Sequence, residues 1–182
     1  MIDRRTLLIS SAASLAASAG RSAPTLSYTH VSFQDLAPGE QIKLVLNNKP
    51  VLLRHRTNAE IAAARDVPLD TLPHPQDRIP DTNFFRDARD ENRALGDNGQ
   101  YLLVSLICPR LGCVVLTDVG DFDGFFCPCG GSHFDTSGRF RKGVAPANLE
   151  IPIAWLEGRT IVIASPHHLT RDKALRDTLG WE

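Results

Sequence analysis

The sequence predicts an all-β fold, and three observations favour that class. The 182-residue chain contains 13 glycines and 12 prolines, which favour turns over long helices. In the segments QIKLVL and PVLLRHR the apolar residues partly alternate, as expected for a sheet buried on one face. Two cysteine clusters each follow a short apolar run, which predicts facing loops at the ends of strands. With 42% hydrophobic residues and a net charge of -1, the chain can bury one ordinary core and has no overall bias toward nucleic acid or an acidic partner.

The N-terminal segment, residues 1–22, has the features of an export sequence. Arg4 and Arg5 precede a mildly apolar run rich in alanine and serine, which resembles a bacterial twin-arginine signal. Ala17, Ser18 and Ala19 form a candidate cleavage site of small residues. The apolar run has roughly 15 residues, fewer than the ~20 that a helix needs to cross a bilayer. We therefore expect an export signal or a vestigial membrane anchor, and both place the domain outside the cytoplasm.

The first predicted strands are residues 27–36 and 41–56, and a hairpin turn is predicted at Asn47, Asn48 and Lys49. His55 is predicted to be an exposed strand residue and not a ligand. Thr57 and Glu60 have the spacing of a capping box, which predicts a short helix over residues 59–65.

The stretch of residues 67–98 is rich in proline and charge, which argues against regular structure over most of it. It is predicted to be an irregular connection along the surface, with His74 solvated. Residues 101–107 and 122–126 are the strands predicted to deliver the two cysteine clusters. Residues 148–153 and 159–164 are predicted to be closing strands. Residues 165–182 form a predicted tail with helix-compatible leucine spacing, which would either pack on its own domain or dock on a partner.

The chemistry-bearing residues are the four cysteines of the chain, Cys108, Cys113, Cys127 and Cys129, spaced as C-x4-C and C-x-C. Two thiolates with two imidazoles can hold a 2Fe-2S cluster, and the imidazoles raise its reduction potential. The other two cysteines could form a disulfide in an oxidising compartment. A zinc site is disfavoured because C-x-C departs from the usual knuckle spacing, and thiol-redox activity is disfavoured because C-x-x-C is absent.

The two clusters and their flanks resemble the Rieske iron-sulfur protein of quinol-cytochrome c reductases, whose loops read C-T-H-L-G-C and C-P-C-H-G-S-H-Y-D. The likeness extends over residues 31–164 and includes DENRALGDNGQYLLVS, GDFDGFFCPC, SGRFRKG and NLEIP. It implies a Rieske fold of stacked antiparallel sheets with one short helix. Residues 23–164 would form the domain, and loops 106–146 its small cluster-type subdomain. It also implies that Cys113 pairs with Cys129 in a disulfide, while Cys108 and Cys127 match cluster ligands.

Departures from the family pattern fall on the other two ligand positions. Arg110 and Gly130 stand where the family has histidines, and neither has a lone pair to offer iron. His133 matches a histidine of the family that is not a ligand. Phe134 replaces a tyrosine whose hydroxyl bonds a ligand sulfur, whereas Ser132, which bonds a bridging sulfide in the family, is retained. The covering loop, residues 143–146, reads GVAP in place of GPAP.

These departures predict a degenerate Rieske-fold protein that binds no conventional 2Fe-2S cluster and has no catalytic residue. It would be an accessory, structural or assembly component of a respiratory complex, or a relic. Its implied partners are cytochrome b and cytochrome c1, and its implied location is the periplasmic side of the bacterial inner membrane, soluble or weakly anchored. The lineage is that of an oxidoreductase, so whether the chain acts as an enzyme is left open.

Two alternatives remain. The chain could transfer electrons through a cluster with unorthodox ligation, with His133 or an opened disulfide among the donors, or it could be a thiol-redox or zinc-binding protein. In the absence of a cluster, Cys108 and Cys127 are expected to be free thiols whose pKa values are lowered by Arg110.

Overall fold

The computed structural model describes residues 28–33, 36–79 and 84–165, together with Asp177. The predicted export signal lies outside the described residues, as does the predicted tail beyond Ser165 except for Asp177. Within the described residues the chain is mostly β-sheet, which confirms the all-β prediction. No helix in these residues is long and apolar enough to cross a membrane.

Twelve strands and two α-helices make up the regular structure of the described residues. In chain order the strands are β1 (Thr29–Ser32), β2 (Gln41–Leu46), β3 (Lys49–His55), β4 (Gln76–Arg78), β5 (Phe85–Asp87), β6 (Tyr101–Ser105), β7 (Leu116–Thr117), β8 (Asp123–Cys127), β9 (Ser132–Asp135), β10 (Phe140–Lys142), β11 (Ile153–Glu157) and β12 (Thr160–Ala164). The helices are α1 (Asn58–Arg65) and α2 (Asp90–Arg93).

The strands form three antiparallel sheets and one small hairpin. The terminal sheet has the order β1-β12-β11, the central sheet the order β2-β3-β6, and the loop-bearing sheet the order β10-β9-β8-β7; β4 pairs with β5. The prediction of several antiparallel sheets is therefore confirmed.

Successive residues of β3 and β6 point to opposite faces of the central sheet, and at these two strands both faces are buried. One face packs with the terminal sheet, in a core of Phe33, Val51, Leu53, Leu103, Ile161 and Ile163. The other face packs toward the loop-bearing sheet, in a core that includes Leu52, Leu102, Val104, Phe125, Phe134, Cys108 and Cys127. Full burial of each large apolar side chain contributes about 1.5–3 kcal/mol to stability. Because Cys108 and Cys127 are members of the second core, the two free thiols belong to the hydrophobic core that supports the loops.

Two local predictions are confirmed in detail. Asn47 and Asn48 have φ values of 48° and 62°, the left-handed conformation that a tight hairpin turn between β2 and β3 requires. Thr57 caps α1 with a complete capping box: its hydroxyl accepts from the Glu60 N–H at 3.2 Å, and the Glu60 carboxylate accepts from the Thr57 N–H at 2.7 Å.

The prediction for residues 67–98 is wrong in part, because the segment contains a 3-10 turn (Leu69–Thr71), the β4–β5 hairpin and α2. The described residues thus contain two α-helices where one was expected. The reason is a distant partner: Asp90 at the start of α2 accepts from the buried guanidinium of Arg56 at 2.5 Å. Local sequence does not reveal such a contact.

Other boundaries also differ from the sequence predictions. Only Ile153 of residues 148–153 is in a strand, because the Leu149 N–H donates to Gly138 at 2.9 Å and Pro152 has no N–H to donate. Strands β7, β9 and β10 were not predicted. His55 lies in a strand as expected but is half-buried, with Nδ1 2.5 Å from the Leu36 carbonyl oxygen and its ring against Tyr101.

Buried ion pairs join the central sheet to the loop-bearing sheet. Arg56 and Asp90 are fully buried, and Asp90 also accepts a short hydrogen bond from the hydroxyl of Ser137, in the turn between β9 and β10. In the same turn region, Arg139 donates to Asp135 at 2.8 Å and to the carbonyl of Ala64 in α1 at 2.7 Å. Charges removed from water require such partners, so this network fixes how the sheets are placed relative to each other.

Candidate functional site

The first cysteine loop follows β6 and is closed by its own backbone. The Cys108 N–H donates to the Cys113 carbonyl at 2.8 Å, and the Gly112 N–H donates back to the Cys108 carbonyl at 3.0 Å. Gly112 has a φ of 72°, which glycine adopts without strain. These bonds make the loop a compact turn with Pro109, Arg110 and Leu111 exposed at its end.

The second loop connects β8 to β9 and is equally tight. Cys127 pairs with Ser132 across the two strands, and the N–H groups of Gly130 and Gly131 both donate to the Cys127 carbonyl, at 3.3 and 2.9 Å. Gly131 has a φ of 61°. The turn holds the Cys127 side chain inward and leaves Cys129 exposed.

Cys113 and Cys129, the pair expected from the resemblance, form a disulfide that joins the two loops. Cys113 is half-buried and Cys129 is exposed. The covalent link therefore lies at the surface and needs no metal to hold the loops together.

Cys108 and Cys127 are free thiols, and both are buried. The Cys127 thiol lies near Cys108 and near the backbone N–H groups of Gly130 and Cys129. Burial raises the pKa of Cys127, the neighbouring Cys108 raises it further, and the two N–H donors offset only part of the effect. The expectation that Arg110 lowers the pKa of this thiol is wrong, because burial and the second thiol outweigh any nearby positive charge.

Arg110 and Gly130, which the resemblance predicts to stand at the two histidine positions, face each other. A Cβ atom placed on Gly130 would lie 3.3 Å from Nη1 of Arg110 and 3.5 Å from Cγ2 of Val144. The Arg110 side chain thus lies beside the space that a side chain at position 130 would enter. The backbone of Gly130 does not have a positive φ, so other residues can adopt its conformation.

Residues 143–146 lie against the second loop, as the covering loop of the resemblance would. A Cβ on Gly143 would come within 2.7 Å of the Gly131 oxygen and the Ser132 Cα, so only glycine permits this approach. Ser132 is fully buried, and its hydroxyl accepts from the Val144 N–H at 3.1 Å. Ser132 therefore fastens the covering loop to the end of β9.

Phe134 lies in the same core as both thiols, fully buried and packed edge-on against Phe140 at 5.9 Å between ring centroids. Its ring offers no hydroxyl to a sulfur. At this position the chain has a purely apolar contact.

His133 points away from the thiols, because it alternates along β9 with the inward-facing Ser132 and Phe134. Its Nδ1 accepts from the Asp121 N–H at 3.0 Å, and its ring packs against Phe126. Lys142 completes this surface group through a 2.7 Å ion pair with Asp121. For His133 to become a ligand, these contacts would have to break and its side chain would have to turn to the opposite face of β9.

Sequence reasoning missed the residues that support the covering loop. His74, predicted to be solvated, is half-buried, with Nε2 3.4 Å from the Ala145 carbonyl oxygen and its ring against Phe140. The amide of Asn148 donates to the His74 carbonyl at 3.0 Å and accepts from the Phe140 N–H at 2.8 Å. No local pattern marks either residue, because their partners are distant in the chain.

The donor set at these loops does not fit a conventional Rieske cluster. Two free, buried thiols are present, but an arginine and a glycine stand where the resemblance would require two imidazoles. Among the described residues, no group of three or more His, Cys, Asp or Glu side chains is arranged to hold a metal ion.

Comparison with known proteins identifies the relatives of this chain. It is 42% identical to the ubiquinol-cytochrome c reductase iron-sulfur subunit of Cereibacter sphaeroides over 133 residues, which covers 72% of this chain and 71% of the relative. The subunit of the same name from Bradyrhizobium diazoefficiens is 42% identical over 67% of this chain and 62% of its own length. The mitochondrial cytochrome b-c1 complex subunit Rieske of Solanum tuberosum is 39% identical over 82% of this chain, which spans 51% of that relative.

No protein-family model matches the chain. The bacterial relatives nevertheless align over most of both chains, at an identity that indicates common descent. The chain therefore belongs to the family of Rieske iron-sulfur subunits of ubiquinol-cytochrome c reductase.

Proposed function

We propose that this chain is a Rieske-fold component of the quinol-cytochrome c reductase lineage that binds no conventional 2Fe-2S cluster, and that it serves an accessory, structural or assembly role in a respiratory complex. The observation that supports this most is the position of the Arg110 side chain beside Gly130. Nη1 of Arg110 lies 3.3 Å from the place that a Cβ on residue 130 would take, so two residues with no lone pair to offer iron are neighbours where the two loops meet. Without a redox centre the chain would not carry electrons from quinol to cytochrome c1.

An electron carrier with unorthodox ligation is the alternative, and two observations weigh against it. His133 is committed to Asp121 and Phe126 on the opposite face of β9. The sulfurs of Cys113 and Cys129 are bonded to each other. Neither group can become a ligand without rearrangement of a strand or reduction of the disulfide.

The proposed partners are cytochrome b and cytochrome c1, on the periplasmic side of a bacterial inner membrane. The relatives named above are subunits of that type of complex. In addition, Leu111 and Val144 are 62% and 52% exposed at the end of the loops, beside Arg110. Apolar side chains exposed together on a surface favour contact with another protein.

The first experiment measures iron and acid-labile sulfide in protein purified anaerobically from its export compartment, with EPR spectra of the reduced sample. We expect no iron in the parent protein. The variant Arg110→His/Gly130→His supplies two imidazoles and removes the arginine that lies against position 130. We expect this variant to acquire about two irons per chain and a Rieske-type signal.

The matched control is Arg110→Ala/Gly130→Ala, which also removes the arginine and adds a Cβ at position 130 but supplies no imidazole, and it should remain free of iron. Two irons in the parent protein would refute the proposal. Iron in the alanine control would show that the thiols need no imidazoles and would refute it as well.

The accessory role has its own test in co-purification. Tagged chain expressed with its reductase subunits should retain cytochrome b and cytochrome c1 through a detergent purification. Replacing Leu111 and Val144 by serine should reduce that retention while leaving thermal stability unchanged, since both side chains are exposed. Purification of the chain alone under all conditions would contradict the partner assignment.

A further inference from the structure

We propose that residues 74–77 form a strap that holds the covering loop, residues 143–146, closed over the loop-bearing sheet. His74 is the positioning residue of this strap. The inference goes beyond the proposed function and does not depend on it, because it concerns how the covering loop opens and not what lies beneath it.

The exposure of successive residues indicates which side chains of the strap face inward. Pro73, Pro75 and Gln76 are exposed, whereas His74 and Asp77 are half-buried. A proline on each side of His74 fixes two φ angles at about −65°, which limits the freedom of the segment. The strap is therefore a stiff segment that presents two polar side chains to the protein.

Buried contacts fix the strap to the rest of the domain. The Ala88 N–H donates to the Pro75 carbonyl at 2.9 Å, and the carboxylate of Asp77 is paired with the guanidinium of Arg93 in α2. Because Arg93 is 1% exposed, moving Asp77 away would leave a buried charge without this carboxylate. The strap is thus a fixed element against which the covering loop can be held.

The strap contacts the covering loop and the residues that follow it. Nε2 of His74 lies 3.4 Å from the Ala145 carbonyl oxygen, which only accepts, so the ring donates from Nε2. The Asn148 amide donates to the His74 carbonyl at 3.0 Å and to the Asp77 carboxylate at 2.9 Å. The His74 ring also packs on Phe140, with 5.4 Å between ring centroids. His74 therefore joins the strap to the loop through its ring and through its backbone.

The covering loop closes a core that solvent would otherwise reach. Ala145 is 5% exposed and belongs to the core that contains Cys108 and Cys127. The Val144 N–H donates to the hydroxyl of the fully buried Ser132 at 3.1 Å. Release of the loop from the strap would break this bond and admit water to the core without unfolding the sheets. The strap thus sets how often the core opens locally.

Hydrogen exchange of the Val144 amide, measured by NMR on the full exported chain, reads this opening directly. We expect His74→Ala to raise the exchange rate of that amide by roughly 2- to 10-fold, the range that corresponds to the loss of one hydrogen bond. His74→Gln retains a side-chain amide donor and should restore the wild-type rate. His74→Phe keeps a ring against Phe140 but has no donor, and its exchange should remain fast.

The matched control is His55→Ala, because His55 makes the same kind of contact in the central sheet. Its Nδ1 lies 2.5 Å from the Leu36 carbonyl oxygen, and its ring packs against Tyr101. This variant should leave the exchange rate of the Val144 amide unchanged. Equal acceleration by the two alanine variants, no acceleration by His74→Ala, or fast exchange in His74→Gln would overturn the inference.

Wild-type protein decides the matter if a variant fails to fold. The Val144 amide should exchange faster than the amides of β3, at a rate that low concentrations of urea do not change, because the opening is local. Exchange of Val144 only through global unfolding would overturn the inference. An iron-sulfur cluster in the parent protein would overturn the proposed function alone, since exchange at Val144 is measured whether or not the thiols are ligated.

Discussion

The disulfide allows a quantitative test of whether the fold is independent of any metal. Replacing both Cys113 and Cys129 by serine opens a covalent loop with a sequence separation of 16 residues. Because one cysteine is half-buried and the other exposed, little packing is lost, and the main effect is greater freedom of the unfolded chain. The loop-entropy relation for a closed loop of this length gives about 10 cal/mol/K, which is about 3 kcal/mol at 25 °C.

Urea denaturation followed by circular dichroism measures this loss as a lower transition midpoint. We expect the double variant, and the wild-type protein treated with reductant, to lose the same ~3 kcal/mol. Added iron should change neither value. A loss below about 1 kcal/mol would show that the two loops are held by other contacts, and a variant that unfolds completely would show that the disulfide does more than close a loop.

Three further predictions concern the support of the site. Asp90→Ala should cost about 3–5 kcal/mol in urea denaturation because it leaves Arg56 buried without its carboxylate. Asp87→Ala removes a half-exposed carboxylate and should change stability by less than ~0.5 kcal/mol. Equal costs would contradict the role of the buried pair. Burial alone would raise the pKa of Glu60, but hydrogen bonds from the Thr57 N–H and Arg54 outweigh it and lower that pKa. Its stabilising contribution is therefore present above the pKa of the unfolded chain and is lost as pH falls through the folded pKa; Glu60→Gln should narrow the difference between urea midpoints at pH 7 and pH 3. Cys127 should resist iodoacetamide at neutral pH because it is buried and its pKa is raised, and mass spectrometry should find two labelled cysteines only after denaturation without reductant; labelling of folded protein would contradict this.

Elements specified by neighbouring residues were predictable from the sequence. The Asn47-Asn48 turn and the Thr57–Glu60 capping box depend on contacts within four residues, and both are present. Strand β9, with the sequence SHFD, has no such local specification, since it is defined by pairing with β8 and β10. The wrong strand at residues 148–153 has the same origin, because the buried side chain of Asn148 bonds distant groups and holds the backbone irregular.

The sequence predicted which residues lie in the two loops, but it did not predict the direction in which the pKa of Cys127 is shifted. The resemblance predicted that Arg110 and Gly130 stand at cluster positions, but it could not show that the Arg110 side chain lies 3.3 Å from where a Cβ on residue 130 would be, because that depends on how the two loops meet. Spacing alone suggested that Arg110 would acidify the thiols. Burial, which raises the pKa of Cys127, follows only from the packing of the core around it.

The buried pair of Arg56 and Asp90 also determines how the protein opens. Its members come from the end of β3 and the start of α2, and Ser137 in the turn ahead of β10 is bonded to the same carboxylate. If the loop-bearing sheet separated from the central sheet, the pair would lose part of its contacts while both charges stayed largely out of water. That partly open state is costly in free energy. The two sheets should therefore behave as one cooperative unit in hydrogen exchange, with amides of β3 and β9 exchanging at a common free energy. We therefore expect the loops to rest on a scaffold that opens only when the whole domain unfolds.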